Sequence, residues 1–214
     1  MGIKERKARE KRSREKEIIK AAKKLVLKHG VEGMSMNQVA DLTELNKATL
    51  YLYFSSKDDL IDALVHEGLL ALEKEFEEGS RSSRSGLDKV LGFVKTSFDF
   101  YKQNPVYFQA LNHQERRMPD ERSRTPFSLR GDEIAGRIFD KFREGLQQGM
   151  ADGSIRKGLD IRQLAILIYA HTYGVMHTIF SKEDIYKDVL NLDPETVEKS
   201  ALEFMEFFLK QETR

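Results

Sequence analysis

The chain has 214 residues, enough to bury a core in one large domain or in a small head joined to a larger body. It contains no cysteine, which excludes disulfides, zinc–thiolate sites and cysteine nucleophiles. No stretch approaches the roughly 18 apolar residues of a membrane span, and a charged run stands where a signal peptide would be apolar. The sequence therefore predicts a cytoplasmic protein.

The net charge of +1 is an average over two unlike parts. Residues 1–54 carry 13 Lys/Arg against 7 Asp/Glu, whereas the rest of the chain carries 23 against 28. Positive potential is therefore concentrated near the N-terminus, where a polyanion could bind.

Apolar residues recur at three- and four-residue spacing, which predicts an all-α fold of about nine helices. We expect residues 4–12 to form a disordered basic arm, and the first helix to cover residues 13–29 and end at Gly30. The arm has two open interpretations. It could follow the phosphate backbone or a minor groove of DNA, or it could be a solubilising tail.

Two short helices should follow the first. Ser35 can cap a helix over residues 36–42, with Gln38 completing a capping box. After a turn at residues 43–45, Asn46 can cap a third helix over residues 47–53. Two short helices joined by a tight turn are typical of a helix-turn-helix, whose second helix enters the major groove of DNA.

The remaining predicted helices form a body. One runs over residues 57–78 from a cap at Ser55 or Ser56, and a short one starts at Pro105 after Asn104. Others should cover residues 87–103, 129–150, 161–180 and 195–210, with loops over residues 79–86 and 117–126. We therefore predict a DNA-binding domain at residues 1–55 and a helical domain at residues 56–214, connected by the helix over residues 57–78.

The segment KATLYLYFSSKDDL, directly after the capped two-turn helix, resembles the DNA-binding head of the TetR family of repressors. The resemblance covers residues 14–66, and the chain length and helical body agree with it. Two positions depart from the family pattern: Glu44 stands in the turn where glycine is usual, and Ala48 stands where glycine is frequent. The resemblance implies a dimeric repressor that binds a palindromic operator and releases it when a small molecule binds the body.

The same resemblance assigns roles to individual side chains. Those facing bases or adjacent sugars would be Asn37, Lys47, Thr49 and Leu52, and those contacting phosphates would be Tyr51, Tyr53 and Lys57. Ala48 is a further candidate DNA-binding residue. An amide can pair with an adenine edge, and the methyl groups of Thr49 and Leu52 can meet thymine methyls. Singly, each could be an ordinary packing or solvated side chain, but the ordered set favours a DNA interface.

The body is rich in aromatic residues, and the resemblance implies a ligand cavity among its middle helices. The candidate lining residues are aromatic groups with a few neutral polar groups among them: Phe98, Tyr101, Phe108, Asn112, His113, Phe139, Thr172, Tyr173 and His177. Such a lining should favour a largely apolar or aromatic effector, oriented by His113 and His177. Each of these residues could instead be an ordinary core or surface group.

The last two predicted helices are apolar on more than one side, so a wide apolar surface has to be covered. The resemblance implies a two-fold interface of four helices, two from each protomer. Its candidate residues are Ile161, Leu164, Ile168, Val175, Val197, Ala201, Phe204 and Phe208. The alternative is burial of these residues within one subunit.

Two other functions remain as alternatives. A helical adaptor could use the basic arm to bind acidic proteins or membrane lipids, and sequence preference on duplex DNA would separate it from a regulator. An all-helical metal-dependent enzyme would need a cluster of ligands. The five histidines (His29, His66, His113, His171 and His177) form no HExxH motif, so we expect no enzymatic activity, no metal and no cofactor.

Overall fold

The computed structural model describes residues 2–79, 83–117, 124–181, 188 and 191–210. These residues form nine α-helices: α1 (Ile3–Gly33), α2 (Met36–Leu42), α3 (Lys47–Tyr53), α4 (Lys57–Gly79), α5 (Gly86–Gln103), α6 (Pro105–Glu115), α7 (Pro126–Asp152), α8 (Ile161–Ser181) and α9 (Pro194–Leu209). The all-α prediction is confirmed. Within the described residues, β-structure is limited to one antiparallel bridge between Ile155 and Lys210.

Helix α1 begins at Ile3, so the prediction of a disordered arm over residues 4–12 is wrong. The carboxylate of Glu5 accepts a hydrogen bond from the backbone N–H of Gly2 at 3.0 Å and so caps the first turn. Oppositely charged side chains about one turn apart then support the helix, each by a few tenths of a kcal/mol. These pairs are Arg6–Glu10 at 3.6 Å, Lys11–Glu15 at 4.0 Å and Arg14–Glu17 at 2.6 Å.

The helix-turn-helix has the predicted bounds and caps. The chain bends into it at Gly30, the predicted helix end, where φ is 71° and the helical path is broken before it resumes. Ser35 Oγ accepts from the N–H of Gln38 at 3.3 Å, and the Gln38 side chain accepts from the N–H of Ser35 at 2.8 Å. Asn46 Oδ1 accepts from the N–H of Thr49 at 2.8 Å. Both short helices are therefore started by side chains that satisfy their first free N–H groups.

The later helices differ from the predictions mainly at their ends. Helix α7 begins at Pro126 and not at Leu129, because Thr125 Oγ1 accepts from the N–H of Ser128 at 3.0 Å and caps it. Helices α8 and α9 lie within a residue of their predicted bounds. Of the two predicted loops, residues 80–82 and 118–123 lie outside the described residues. In the described ranges, no helix is both long and apolar enough to cross a membrane.

The helices form two compact units, and the first comprises residues 1–70 and 104–133. Helix α6 and the start of α7 therefore belong to the same unit as the helix-turn-helix. Its core includes Ile18, Val39 and Leu50, all fully buried. Phe54 is also fully buried, and its ring stacks on that of Phe127 with centroids 5.6 Å apart. The predicted domain boundary at residues 55 and 56 falls inside this unit.

The second unit comprises residues 71–103 and 134–214. Its core contains the buried rings of Phe76 and Phe93, and the half-buried ring of Phe142 packs against them. The centroids of the three rings lie 4.8–5.8 Å apart. Gly86, at the start of α5, lies against Gly149 of α7 so closely that an added Cβ would overlap the backbone of Gly149. The crossing of these two helices therefore depends on the absence of a side chain at Gly86.

Candidate nucleic-acid interface

Helix α3 turns one face to the core and the other to solvent. Leu50 and the following Phe54 are fully buried and hold the helix in place. On the outer face, Leu52 is 80% exposed and Tyr51 is 49% exposed. The other residues predicted to contact DNA from α3 are exposed or half-buried: Lys47, Ala48, Thr49 and Tyr53. The predicted contact residues of α3 are thus accessible to a partner.

The turn between α2 and α3 is held by hydrogen bonds from its own residues. The N–H of Leu45 donates to the carbonyl of Ala40 at 3.0 Å, and the hydroxyl of Thr43 donates to the carbonyl of Val39 at 2.8 Å. Glu44 has a φ of 55°, in the left-handed region that favours glycine. The departure noted at this position is therefore a locally strained residue in a turn that still closes.

The two predicted DNA contacts outside α3 lie on neighbouring helices. Asn37 is exposed on α2. Lys57 is the first residue of α4, and its Nζ donates to the backbone carbonyl of Glu32 at 3.1 Å. An ammonium group has three N–H donors, so Lys57 can keep this bond and still bind a phosphate.

His113 does not lie in the second unit, where most of the predicted ligand residues are found. It lies on α6, in the first unit, with Nδ1 3.1 Å from Glu32 and Nε2 3.1 Å from Asp58. Arg117 lies 3.4 Å from the same Asp58. Partial burial raises the pKa of Asp58, but the hydrogen bond with His113 and the charge of Arg117 outweigh it and hold the pKa below its usual value. His113 therefore ties α6 to the end of α1 and to the start of α4.

Asp62, one turn further along α4, is a buried carboxylate with several partners. Gln114 Nε2 and the hydroxyl of Thr125 each donate to it at 2.9 Å. Arg117 forms an ion pair with the same group. The charge of Asp62 is thus compensated by residues on both sides of the segment that joins α6 to α7.

The residues predicted to line an effector cavity are distributed over both units. Phe108, Asn112 and His113 belong to the first unit. Within the second unit, the rings of Tyr173 and His177 lie 6.0 Å apart, and the hydroxyl of Thr172 donates to the carbonyl of Ile168 at 2.7 Å. That hydroxyl keeps its acceptor lone pairs. The predicted lining residues in the second unit are Phe98, Tyr101, Phe139, Thr172, Tyr173 and His177.

Helices α8 and α9 present an apolar surface to solvent. Phe204 is 61% exposed and Phe208 is also exposed, and both line an apolar groove of about 330 Å³ between the two helices. The ring of His171 stacks on Phe204 with centroids 5.6 Å apart, and burial lowers the pKa of His171. The other predicted interface residues are buried (Leu164, Ile168, Ala201) or half-buried (Ile161, Val175, Val197).

Some of the most exposed apolar side chains of these helices are not among the predicted interface residues. Ile166 and Leu167 of α8 are both more than half exposed, and Phe207 of α9 is 84% exposed. Each lies within two residues of a position that was predicted to form the interface. The apolar character of both helices on more than one side was visible in the sequence, but it did not indicate which side faces outward.

The chain is similar in sequence and in fold to several known proteins. A family model described as bacterial regulatory proteins, tetR family, matches residues 18–64. The chain is 24% identical over 149 residues to the HTH-type transcriptional repressor KstR2 of Mycolicibacterium smegmatis, covering 70% of this chain and 71% of that protein. It is 22% identical over 164 residues to the fatty acid metabolism regulator protein of Bacillus subtilis, covering 75% and 80%. The crystal structure of FadR from Bacillus subtilis in complex with stearoyl-CoA matches with a TM-score of 0.70 at 19% identity, over 90% of this chain and 98% of that one.

Proposed function

We propose that this chain, whose residues 18–64 match a model of the tetR family of bacterial regulatory proteins, is a repressor of that family. It would bind a palindromic operator as a homodimer and release it when a small, largely apolar effector binds. The observation that carries the proposal is the outer face of α3, where Leu52 stands 80% exposed on a helix anchored from behind by Leu50. Residues 1–55 would bind DNA in the cytoplasm. Residues 56–214 would dimerise and bind the effector.

We assign the base contacts to the side chains that the fold leaves free on α2 and α3: Asn37, Lys47, Ala48, Thr49 and Leu52. Tyr51, Tyr53 and Lys57 would bind phosphates at the edges of the same surface. The phosphate contacts position the protein on any duplex, whereas the base contacts carry sequence preference. The two groups of residues should therefore respond differently to substitution.

Binding-site selection on random duplexes tests this division. The native protein should select a palindrome whose half-sites lie about one helical turn apart. Asn37→Ala and Thr49→Ala should relax the selected motif at particular base pairs, at about 1–3 kcal/mol per good contact. Tyr53→Phe should weaken all duplexes about equally and leave the motif unchanged. A native protein that selects no motif would contradict the proposed function.

A palindromic operator requires two copies of the head, and we propose that the exposed apolar surface of α8 and α9 joins them. A second copy of this chain suits the surface because a two-fold axis would place the same apolar residues opposite one another. The residues that carry this proposal are the exposed ones: Ile166, Leu167, Phe204, Phe207 and Phe208. Leu164, Ile168 and Ala201 would support the surface from beneath.

Two substitutions separate the interface from the core. Phe207→Glu places a charge on an 84% exposed position, so it should give a folded monomer if a second copy covers that position. Ile168→Asp places a carboxylate in the buried layer and should unfold the second unit instead. Sedimentation velocity and circular dichroism distinguish the two results. Native protein that sediments as a monomer at micromolar concentration would contradict the dimer.

We propose that the effector binds among the aromatic residues of the second unit and carries a long apolar part. The ring-rich lining supports an apolar ligand, and Thr172 and His177 supply a small number of polar groups to orient it. FadR from Bacillus subtilis, which shares the fold, is described in complex with stearoyl-CoA. An acyl thioester is therefore the first effector class to test.

A thermal-shift screen with stearoyl-CoA, free stearate, a sterol, glucose 6-phosphate and spermidine tests the effector class. A ligand that binds the folded protein raises its melting temperature by mass action. We expect shifts from the apolar ligands, and release of the selected operator at saturating ligand. Shifts confined to the sugar phosphate or the polyamine would contradict the proposed lining. A saturating ligand that leaves operator affinity unchanged would contradict its coupling to DNA binding.

A further inference from the structure

The first part of α1, residues 3–17, forms a helical extension that lies beside the outer face of α3. Between them lies an open groove of about 560 Å³. One wall is formed by α1 through Lys7, Glu10, Lys11 and Arg14, and the other by α3 through Thr49, Leu52 and Tyr53. Basic side chains thus stand across the groove from the side chains proposed to contact DNA.

Seven of the eight basic residues of the extension lie on two opposite faces of the helix, and Arg6 lies between these faces. An α-helix has 3.6 residues per turn, so positions three, four and seven residues apart share a face. The face toward the groove carries Lys4, Lys7, Lys11 and Arg14, and the opposite face carries Arg9, Arg12 and Lys16. Positive charge therefore lies on both faces of the helix, but of these two faces only the first borders the groove beside α3.

The charge of the extension is only partly compensated inside the protein. Residues 3–17 carry eight Lys/Arg against four Asp/Glu. Lys11 and Arg14 form solvent-exposed pairs with Glu15 and Glu17, which contribute little free energy and exchange readily. In the described part of the chain, no ion pair is formed by Lys7. An extended anion in the groove could therefore bind to these basic side chains.

We propose that the extension of α1 is a second DNA-binding element, and that Lys7, Lys11 and Arg14 bind phosphates beside the bases contacted by α3. This inference rests on the proposed DNA-binding function. If Thr49 and Leu52 contact bases, the groove that they line faces the duplex as well. Glu10 also lines the groove and would repel a phosphate, but it pairs with Arg6 at 3.6 Å, and basic groups outnumber it on that wall.

The length of the basic face suits a phosphate backbone. From Lys4 to Arg14 the helix rises by about 15 Å, at about 1.5 Å per residue. Phosphates of one strand rise by about 3.4 Å each along the duplex axis while they wind around it, so a straight face of this length can reach at least two of them. Binding two or more phosphates would add to the salt dependence of operator binding in a way that substitution can measure.

The test compares two charge-matched double variants of the full-length chain. Lys7→Gln with Lys11→Gln removes two positive charges from the face toward the groove. Arg9→Gln with Arg12→Gln removes two from the opposite face of the same helix. Affinity for the selected operator is measured by fluorescence anisotropy over a range of salt concentrations, and circular dichroism checks that helix content is retained.

We expect the groove-facing double variant to lower the slope of log affinity against log salt by about 1.8, or about 0.9 for each lost phosphate contact. Its affinity at 0.1 M salt should fall by about tenfold or more, and the control variant should change the slope by less than half as much. Equal changes in both variants would indicate general attraction by net charge and overturn the inference.

Two further outcomes separate this inference from the function on which it rests. If the native protein selects an operator and neither double variant alters the slope, the extension does not bind DNA, and the inference alone fails. If the native protein shows no sequence preference on duplex DNA, both the proposed function and the inference that rests on it are contradicted. Binding to phosphatidylserine vesicles that depends on Lys7 and Lys11, with an unchanged operator slope, would assign the extension to a membrane and overturn the inference.

Discussion

Replacing Leu52 with alanine should weaken operator binding and leave the stability of the free protein almost unchanged. The Leu52 side chain is 80% exposed on the outer face of α3, so its removal takes little from the core. Exposed substitutions of this kind usually change the free energy of unfolding by about 0.5 kcal/mol or less. A large effect on DNA binding would therefore arise at the interface.

The size of the expected effect follows from the apolar surface that Leu52 would bury against DNA. The substitution removes the isopropyl group beyond Cβ, and each buried methylene-sized group contributes about 0.8 kcal/mol. Burial of most of this group corresponds to about 2 kcal/mol. Since about 1.4 kcal/mol is a factor of ten, the Kd for the operator should rise roughly 30-fold.

The assay is a fluorescence-anisotropy titration of the selected operator, paired with chemical unfolding of the protein without DNA. Leu27→Ala is the matched control, because Leu27 is 56% exposed on α1 but lies outside α3 and the groove beside it. An operator Kd for Leu52→Ala within twofold of the native value, equal to that of the control, would refute the placement of this face against DNA. A loss of about 2 kcal/mol in unfolding free energy would show that Leu52 supports the fold instead.

Three further predictions concern stability. Gly86→Ala should lower the free energy of unfolding by about 3 kcal/mol, because the new Cβ overlaps the backbone of Gly149. The control is Gly92→Ala in the same helix, which should be neutral or stabilising because open space surrounds this position. Equal effects of the two substitutions would contradict the close crossing of the helices at Gly86. Glu44→Gly should raise the melting temperature slightly, because glycine adopts the left-handed conformation without strain. The gain is small because glycine also increases the conformational entropy of the unfolded chain. A lower melting temperature would show that Glu44 has a compensating contact. Burial and the charge of Arg130 lower the pKa of His66, so its neutral form contributes stability above pH 6.5 that is lost as pH falls through the folded-state pKa. Chemical unfolding at pH 7.5 and 5.5 should therefore show a smaller decrease for His66→Gln than for the native chain, and an unchanged decrease would refute this origin.

The elements that the sequence predicted most closely are those determined by neighbours in the chain. Ser35 with Gln38, and Asn46 with Thr49, lie three residues apart, so their capping is visible in the sequence. Whether residues 4–12 form a helix or a disordered arm was difficult to predict, because the sequence favours the two states almost equally. Its polar residues can form a helix through pairs one turn apart or remain solvated, and a single cap at Glu5 helps the helix.

The placement of His113 could not be predicted because its partners are far away in the chain. Glu32 and Asp58 lie 81 and 55 residues from it, and no periodicity links these positions. His113, a polar residue on an apolar helix, was therefore assigned to a ligand, whereas in the fold it holds α6 against the end of α1 and the start of α4. The same difficulty affects α8 and α9, where Ile168 is buried and Phe204 is exposed although both were predicted to form the dimer interface.

The extent of the first unit follows from the small size of the head. A segment of about 55 residues buries a smaller fraction of its surface than a larger domain and is only marginally stable by itself, so contacts with other elements can stabilise its core. Phe54 shows how this happens: it ends the motif, is fully buried, and stacks on Phe127 from the start of α7. Lys23 of α1 likewise bonds to Glu67 of α4 at 2.6 Å and to Tyr107 of α6 at 2.8 Å. The helices that complete the core of the head lie within the region proposed for effector binding and dimerisation, so the packing boundary and the functional boundary fall at different residues.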